Sequence, residues 1–417
     1  SYQGATEKTS FFASMSYLDD KGWILNSDFQ RVTGRINVNM QPKDWIRTGF
    51  NLSGATSESN QAADGGSTSF VNPFFSSRRI APIYPVYLHD PVTGEFILDD
   101  AGNRIFDLGD DRVGNTNGRH VIQETLLNVD RDRITTLGAR AFVDLYFLDG
   151  FKFTANASLD KRFFNNEDFD NPIVGDGNPA GRAGRDASTR TTVSYNQLLN
   201  YTKDFGRHSI TGLVGHESFE YEFNWLTGFR TDIVADGNTE LVNFTNTSDL
   251  NSFTNRYTTE GYLGRVEYDL DDKYYLSGSF RRDGSSRFDE AVRWGNFWSV
   301  GGAWRVDQEP FLQGISWISM LKARASYGEV GNDSNLDNAS LSFFASQALF
   351  SLGNNNANEP GILVSSLAAP SLAWESNQQT DIALEFALFN YRVSGSIEFY
   401  NRITDDLIFN VPLPLSS

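Results

Sequence analysis

Long segments of this 417-residue chain alternate strictly between apolar and polar side chains. Residues 151–160 carry apolar side chains at every odd position and polar ones at every even position. Residues 391–400 alternate in the same way, and residues 31–40 alternate with the apolar side chains at even positions. Similar patterns occur at 45–54, 262–270, 273–281, 320–327 and 381–388. A period of two places the two kinds of side chain on opposite faces of a strand. The alternation therefore predicts an all-β protein with one apolar and one polar face.

The segments have the length of strands that cross a lipid bilayer. Each runs for about 9–11 residues, as a tilted membrane strand requires, whereas strands of soluble sandwiches more often have about 5–6. A membrane-spanning helix needs about 18 or more consecutive apolar residues, and no such run occurs in the sequence. The pattern favours an antiparallel transmembrane β-barrel over a large soluble β protein.

Connections between the predicted strands are alternately short and long. Tight polar turns lie at 41–44, 148–150, 204–207 and 271–272. Long connections span about 55–130, 164–187, 223–254, 284–293 and 331–374. Outer-membrane barrels sort their connections in this way, with short periplasmic turns and long extracellular loops.

Aromatic residues recur directly after the short turns. They are Trp45, Phe151, Tyr274, Tyr275 and Tyr391. Rings at this height match the aromatic girdle that borders the apolar band of a membrane barrel. Aromatic residues also favour strands in general, but their recurrence at successive turns favours the girdle.

The predicted strands number about thirteen and do not make a complete barrel. They lie near 8–18, 29–40, 45–54, 131–147, 151–163, 188–203, 208–222, 255–270, 273–283, 294–306, 320–330, 375–388 and 391–403. Single-chain bacterial barrels normally have an even number of strands. The chain begins in a strand and ends at Pro412-Leu413-Pro414 without a closing aromatic strand. We therefore expect residues 1–417 to be part of a single barrel domain.

Composition argues against several other functions. The net charge is −18, and the chain has no cysteine for a disulfide, a thiolate zinc site or a thiol nucleophile. The densest positive cluster, around Arg281 and Arg287, is interleaved with Asp283 and Asp289, so nucleic-acid binding is not expected. No metal-binding His pair, nucleophile elbow or phosphate loop is present. We expect neither an enzyme nor a cofactor.

Several stretches have the composition of a specific barrel family. Residues 272–276 read Asp-Lys-Tyr-Tyr-Leu, and residues 280–288 read Phe-Arg-Arg-Asp-Gly-Ser-Ser-Arg-Phe. This stretch continues through 293–295 and 303–305, and further matches lie at 16–22, 26–29, 44–46, 51–53, 321–328, 331–332, 374–375 and 399–401. Together they resemble the SusC/RagA family of TonB-dependent transporters over nearly the whole chain, and residues 282–288 are the most specific part.

The resemblance implies a barrel of about 22 strands closed by an N-terminal plug. The plug, a TonB-contacting box, and the first and last strands are expected outside this sequence. It also implies three partners: a SusD-like lipoprotein lid, the TonB complex, and the surrounding outer-membrane lipid. We expect energised import of a glycan or oligopeptide across the outer membrane of a Gram-negative, Bacteroidetes-like bacterium. A passive porin or surface adhesin is the alternative, and a soluble β-rich hydrolase or lectin is a third.

The connection 55–130 carries the candidate residues for contact with a substrate or a lid. Aromatic faces with flanking polar groups suit sugar rings or peptide side chains. The same residue types also pack a loop onto its neighbours. The candidates are Phe70, Asn72, Phe74, Phe75, Arg78, Arg79, Tyr84 and Tyr87.

Acidic residues of the same connection offer oxygen ligands of the kind that calcium binds. They are Asp99, Asp100, Asp107, Asp110 and Asp111. Their spacing does not match an EF-hand loop, and residues 99–103 also have the composition of a hairpin turn. No metal site is assigned, and calcium stays an alternative to the turn.

Residues 281–288 lie at the end of a predicted strand. Their Asp283-Gly284 pair favours a tight turn. We expect this segment to brace the barrel rim rather than to bind a ligand.

Overall fold

The computed structural model describes residues 1–62, 72–80, 83–109, 119–337, 343–352, 359 and 361–409. Three of the predicted site residues, Phe70, Asp110 and Asp111, lie outside this part of the chain. Within it, no helix is long and apolar enough to cross a membrane.

Most of the described chain forms β-strands, as the alternation predicts. The strands are β1 (Tyr2–Ala5), β2 (Thr9–Lys21), β3 (Asp28–Lys43), β4 (Ile46–Asn60), β5 (Val129–Phe147), β6 (Phe151–Asp170), β7 (Arg182–Phe205), β8 (His208–Ile233), β9 (Phe244–Leu270), β10 (Tyr274–Ser285), β11 (Trp294–Arg305), β12 (Ile318–Asn332), β13 (Leu349–Leu352), β14 (Ile362–Ser366), β15 (Glu375–Leu388) and β16 (Val393–Asp405). The helices are α1 (Pro73–Arg79) and α2 (Val121–Leu127). All thirteen predicted strands are confirmed, and the short strands β1, β13 and β14 were not predicted.

Fourteen of the described strands form one antiparallel sheet. Chain neighbours are sheet neighbours throughout, except that β12 pairs with β15 because β13 and β14 form a separate hairpin. Apart from the pairing of β12 with β15, hairpin pairing between chain neighbours is therefore sufficient to build the sheet. The outermost strands β1 and β16 each have one partner in the described chain.

The two faces of the sheet differ in chemistry near the short turns. On β6, Phe153 and Leu159 point to one side, here called the outer face, and Asn156 and Ser158 point to the other, the inner face. Strand pairing continues each face across the sheet. Outer-face side chains more than half exposed include Val214, Val266, Leu276, Val300, Ile382 and Ile397. A continuous exposed apolar surface of this kind requires an apolar surrounding.

The inner face is linked by hydrogen bonds and ion pairs between neighbouring strands. Ser158 and Ser194 lie 2.6 Å apart, and the Asn156 amide donates to Asn196 at 2.8 Å. Arg324 donates to Glu385 at 2.9 Å and to Glu398 at 2.7 Å. The polar side chains of the alternating segments therefore form hydrogen bonds and ion pairs with one another on this face.

Short and long connections lie at opposite ends of the sheet. The end called the turn end has connections 6–8, 44–45, 148–150, 206–207, 271–273 and 389–392, together with a longer one at 306–317. The loop end has connections 61–128, 171–181, 234–243, 286–293 and 333–374, together with a shorter one at 22–27. At the turn end, Asp271 (φ 60°) and Asp272 (φ 54°) adopt left-handed backbone conformations that suit a tight hairpin. The predicted asymmetry of the connections is confirmed.

Two predicted long connections, 164–187 and 223–254, are wrong in extent. Strands β6 to β9 continue into them, and the connections shorten to 171–181 and 234–243. The alternation persists, but its polarity reverses: Glu220 and Glu222 lie on the outer face, and Tyr221 and Phe223 on the inner face. The predicted strands end at 163 and 222, before the observed ends of β6 at Asp170 and β8 at Ile233.

Aromatic rings line the outer face at the turn end. Phe151 packs on Phe147 at 5.9 Å and on Tyr201 at 4.6 Å. The prediction was wrong for Tyr275, because consecutive residues of a strand face opposite sides: Tyr274 is on the outer face and Tyr275 on the inner. Tyr275 contacts Lys322 across the inner face, with the ammonium 5.9 Å from the ring.

Candidate substrate-binding site

Helix α1 begins at a well-formed cap. The Asn72 side-chain oxygen accepts hydrogen bonds from the backbone N–H groups of Phe74 at 2.9 Å and Phe75 at 3.1 Å. Pro73 occupies the first turn, where its missing N–H costs nothing. Asn72, one of the predicted contact residues, is thus positioned to start a helix.

The other predicted residues of α1 lie on its surface. Phe74 is 49% exposed and meets Trp23 edge to face at 5.3 Å. The Arg79 guanidinium lies 5.1 Å from the Phe75 ring, and Arg78 donates to the Phe74 carbonyl at 3.0 Å. This cluster presents aromatic and cationic groups together.

Tyr87 belongs to a separate small ribbon in the same connection. Antiparallel bridges join Tyr87 to Phe106 and Leu98 to Arg104. The Tyr87 and Phe106 rings lie 5.0 Å apart, and the Arg104 guanidinium lies 4.0 Å from the Phe96 ring. Tyr84 precedes this ribbon in the chain. The predicted contact residues therefore divide between α1 and the ribbon, here defined as residues 86–107.

His120 attaches the ribbon to α2. Its Nε2 lies 3.1 Å from the Val86 carbonyl, and its Nδ1 accepts from the Gln123 N–H at 3.2 Å. Burial lowers the pKa of His120. The neutral ring with its proton on Nε2 satisfies both contacts. Sequence reasoning assigned this residue no role.

Glu124 attaches α2 to the connection between β6 and β7. Its side chain is 2% exposed and accepts from the His120 N–H at 3.0 Å. Arg119 lies 3.7 Å from the Glu124 carboxylate and also pairs with Asp176. Burial raises the pKa of Glu124. Gly175 (φ 87°) approaches the carboxylate so closely that a Cβ there would overlap it.

The described acidic residues of the ribbon act as turn formers. Asp99 accepts from the N–H groups of Ala101 at 3.0 Å and Asn103 at 2.7 Å, and these bonds lower its pKa. Asp107 accepts from the Gly109 N–H at 2.9 Å. Among the residues that the structure describes, no three His, Asp or Glu side chains are grouped as metal ligands. Calcium binding stays an untested prediction, since it also involves Asp110 and Asp111.

Arg287 and Phe288, from the segment predicted to brace the rim, pack against neighbouring loop-end residues. Arg287 is 2% exposed, stacks 3.8 Å from the Tyr257 ring and donates to the Asp333 carbonyl at 3.1 Å. Phe288 packs with Leu336 and Ile408 in a small core at the loop end. These contacts tie connection 286–293 to the start of connection 333–374.

Sequence reasoning missed a second aromatic group, on the inner face of the extended β8–β9 hairpin. We define the inner patch as Arg162, Arg190, Phe223, Trp225, Phe253 and Asn255. The Phe253 ring lies 5.9 Å from Phe223 and 5.2 Å from Trp225. The sequence does contain a pattern that indicates this group, because every odd position from 219 to 225 is aromatic. Only the strand pairing shows that they face inward.

This architecture defines the class of protein to which the chain belongs. A hairpin-connected antiparallel sheet with an exposed apolar outer face, a bonded polar inner face, and short turns opposite long loops is the wall of an outer-membrane β-barrel. The aromatic rings at the turn end lie where such a wall meets the membrane interface.

The chain belongs to the family described as TonB dependent receptor-like, beta-barrel, whose model matches residues 84–417. Receptors of this family are outer-membrane proteins of Gram-negative bacteria, and the family is not one of enzymes. The resemblance to SusC/RagA transporters is confirmed by the relatives.

Similar proteins cover the chain from end to end. TonB-dependent receptor P39 of Formosa agariphila is 27% identical over 99% of this chain and 37% of its own length. TonB-dependent receptor SusC of Bacteroides thetaiotaomicron is 26% identical over 100% of this chain and 42% of its own length. The solved structure of the RagAB peptide transporter superimposes with a TM-score of 0.78 at 25% identity, covering 99% of this chain and 44% of that one. The chain thus spans less than half the length of the curated relatives.

Proposed function

We propose that this chain is part of the barrel wall of an energised importer for a nutrient too large for a porin. The observation that carries the proposal is the two-faced sheet in a member of the TonB-dependent receptor family. Residues 1–417 form part of a single barrel domain in this proposal. A barrel of about 22 strands encloses a lumen wide enough to require a plug. The TonB complex then supplies the force that displaces the plug.

A SusD-like lipoprotein closes the extracellular mouth in this proposal, and the cargo is a glycan or an oligopeptide. The support is likeness to SusC and to a structure whose title names the RagAB peptide transporter. Uptake proceeds by binding under the lid, displacement of the plug and release into the periplasm. The organism is a Gram-negative, Bacteroidetes-like bacterium.

Helix α1 and the ribbon are the proposed contact surface for the lid or the substrate. Exposed Phe74, with Arg78 and Arg79 beside it, offers an aromatic and cationic surface at the loop end. Tyr84 and Tyr87 add aromatic surface from the neighbouring segment. Phe74→Ala is expected to weaken capture of the co-purifying lipoprotein or uptake of the nutrient. Val242→Ala, at an exposed position of connection 234–243 outside this surface, is the matched control.

Uptake of labelled oligosaccharide and oligopeptide mixtures by the native bacterium tests the import proposal. Deleting the full-length gene, inactivating TonB or adding a proton uncoupler should each abolish uptake of the same fraction. Uptake that survives loss of TonB would overturn energised import. The passive-porin alternative instead predicts steady ion conductance of the purified full-length protein in planar bilayers.

A further inference from the structure

Two arginines face each other directly on the inner face of the sheet. Arg162 of β6 and Arg190 of β7 are register partners, so their Cα atoms lie about 5 Å apart. Like charges directly opposite one another destabilise a sheet. Such a pair is stable when an anion lies between the two guanidinium groups.

Neither arginine has a carboxylate partner within the described part of the chain. The Arg162 guanidinium lies 5.4 Å from the Phe164 ring, and the Arg190 guanidinium lies 5.9 Å from the Tyr221 ring. The nearest inner-face acid on β6, Asp160, already pairs with Arg140 at 3.6 Å. Both cations therefore keep donors available for a ligand.

The arginine pair continues into a row of aromatic and amide groups. Arg190 is the register partner of Phe223, and Phe223 of Asn255. In the adjacent row Trp225 pairs with Phe253, which is 44% exposed. Counted from His208, these residues lie beyond the roughly 9–11 positions that a tilted strand needs to cross the bilayer. The inner patch thus lies above the lipid, on the loop-end side of the wall.

We propose that the inner patch binds an anionic saccharide, with its carboxylate or sulfate group between Arg162 and Arg190 and its ring face on Phe223 or Trp225. Planar guanidinium groups bind carboxylate and sulfate oxygens bidentately, and aromatic faces stack on sugar rings. Asn255 supplies a donor and an acceptor for ring hydroxyls. The proposal rests on the import function and narrows its cargo to acidic glycans.

The strand pairing around the two arginines leaves no edge at which a peptide could add a strand. Peptides commonly bind by adding a strand to an open sheet edge. At Arg162 and Arg190, strands β6 and β7 have hydrogen-bonded partners on both sides, whereas β9 pairs with β10 only from Thr259 onward. The anionic group between the two arginines is therefore held by side chains, as the acidic group of a saccharide is, and a peptide that adds a strand at the open edge of β9 is the competing outcome of the test.

Calorimetric titration of the purified full-length protein in detergent tests the proposal without requiring import. The probes are a galacturonate oligosaccharide, a sulfated galactose oligosaccharide, a neutral maltooligosaccharide and an oligoglutamate peptide. Binding of at least one acidic saccharide, in preference to the neutral saccharide and the peptide, is the expected result. Equal binding of the neutral saccharide, or tighter binding of the peptide, would overturn the assignment.

Substitutions locate the site. Arg162→Gln or Arg190→Gln should each weaken acidic-saccharide binding about tenfold, and the double substitution more, because each removes a charge-assisted hydrogen bond. Arg256→Gln is the matched control, since Arg256 lies on the outer face of β9 and pairs with Glu220 at 2.6 Å. Unchanged saccharide binding in the double variant would show that the inner patch is not the binding site, whether or not import is intact.

Stability provides a second measurement that does not depend on the probe. Either Arg→Gln change should leave the unliganded protein as resistant to denaturant as the original or more so, because the opposing charges are relieved. A large loss of resistance would show that the pair is structural and would contradict the proposal. Loss of energised uptake with retained saccharide binding would instead contradict the import function alone.

Discussion

Single buried residues join the loop-end segments of this protein to one another. His120 joins the ribbon to α2 through Val86, and Arg287 joins two loop-end connections through Asp333. Both side chains are held in polar contacts away from water, so each is sensitive to a change of charge.

Acidification is predicted to loosen the ribbon from α2. The folded-state pKa of His120 lies below its usual value because of burial. The stabilisation is therefore complete above about pH 6.5 and is lost as the pH falls through the folded-state pKa. Amide hydrogen exchange in residues 86–107, corrected for intrinsic rates, should be faster at pH 5 than at pH 7.5. His120→Asn keeps a capping side chain and should remove most of this difference.

Glu124 needs a separate control in that experiment. Burial raises its folded-state pKa, so its protonated form favours the docked helix, and this contribution is lost as pH rises. The two residues act in opposite directions. In Glu124→Gln the acid-induced loosening should be larger, and its absence in that background would contradict the role of His120.

Replacing Arg287 with Met is predicted to free the loop-end brace. The change removes a buried hydrogen bond from a charged group and the stack on Tyr257, a loss of about 2 kcal/mol or more. Hydrogen exchange in residues 286–293 and 333–337 should increase. Arg282→Met, at the exposed neighbouring position on the outer face, should leave both segments unchanged.

At the scale of elements, the two faces of one strand are predicted to differ in the stability that an introduced charge costs. Val300, on the outer face of β11 and 51% exposed, lies near the middle of the apolar band. Val300→Arg should cost about 2–4 kcal/mol of stability in a bilayer. The neighbouring inner-face change Ser299→Arg should cost much less, as denaturant titrations of the protein in vesicles would measure. Equal costs would contradict the assignment of the faces.

The alternation also shows how much of an element can be predicted. From Phe151 to Leu159 the outer face is apolar, and the sequence predicts both the strand and its orientation. From Phe219 to Trp225 the period is the same, but the aromatic side chains lie on the inner face. The lipid no longer dictates which face is apolar there, and the predicted strand ended at 222, with a loop from residue 223 onward.

At the scale of the whole molecule, the wall has a defined direction across the membrane. Residues 1–417 contain no cysteine, so an introduced thiol is the only one within this part of the barrel wall. Val234→Cys, in a loop-end connection, should react with a membrane-impermeant maleimide in intact cells. Leu148→Cys, in a turn-end connection, should react only after the outer membrane is opened. Both positions are well exposed, at 69% and 82%, and reversed labelling would invert the proposed orientation.

The sequence by itself determined the strand positions, their two faces near the turns and the kind of membrane wall they build. It could do so because a lipid surrounding imposes a strict period of two on every crossing strand. The lengths of β6 to β9, the attachment of α2 through His120 and Glu124, and the inner patch were decided only by the tertiary structure. Those features depend on which residues of separate strands are register partners, and a local sequence pattern does not contain that information.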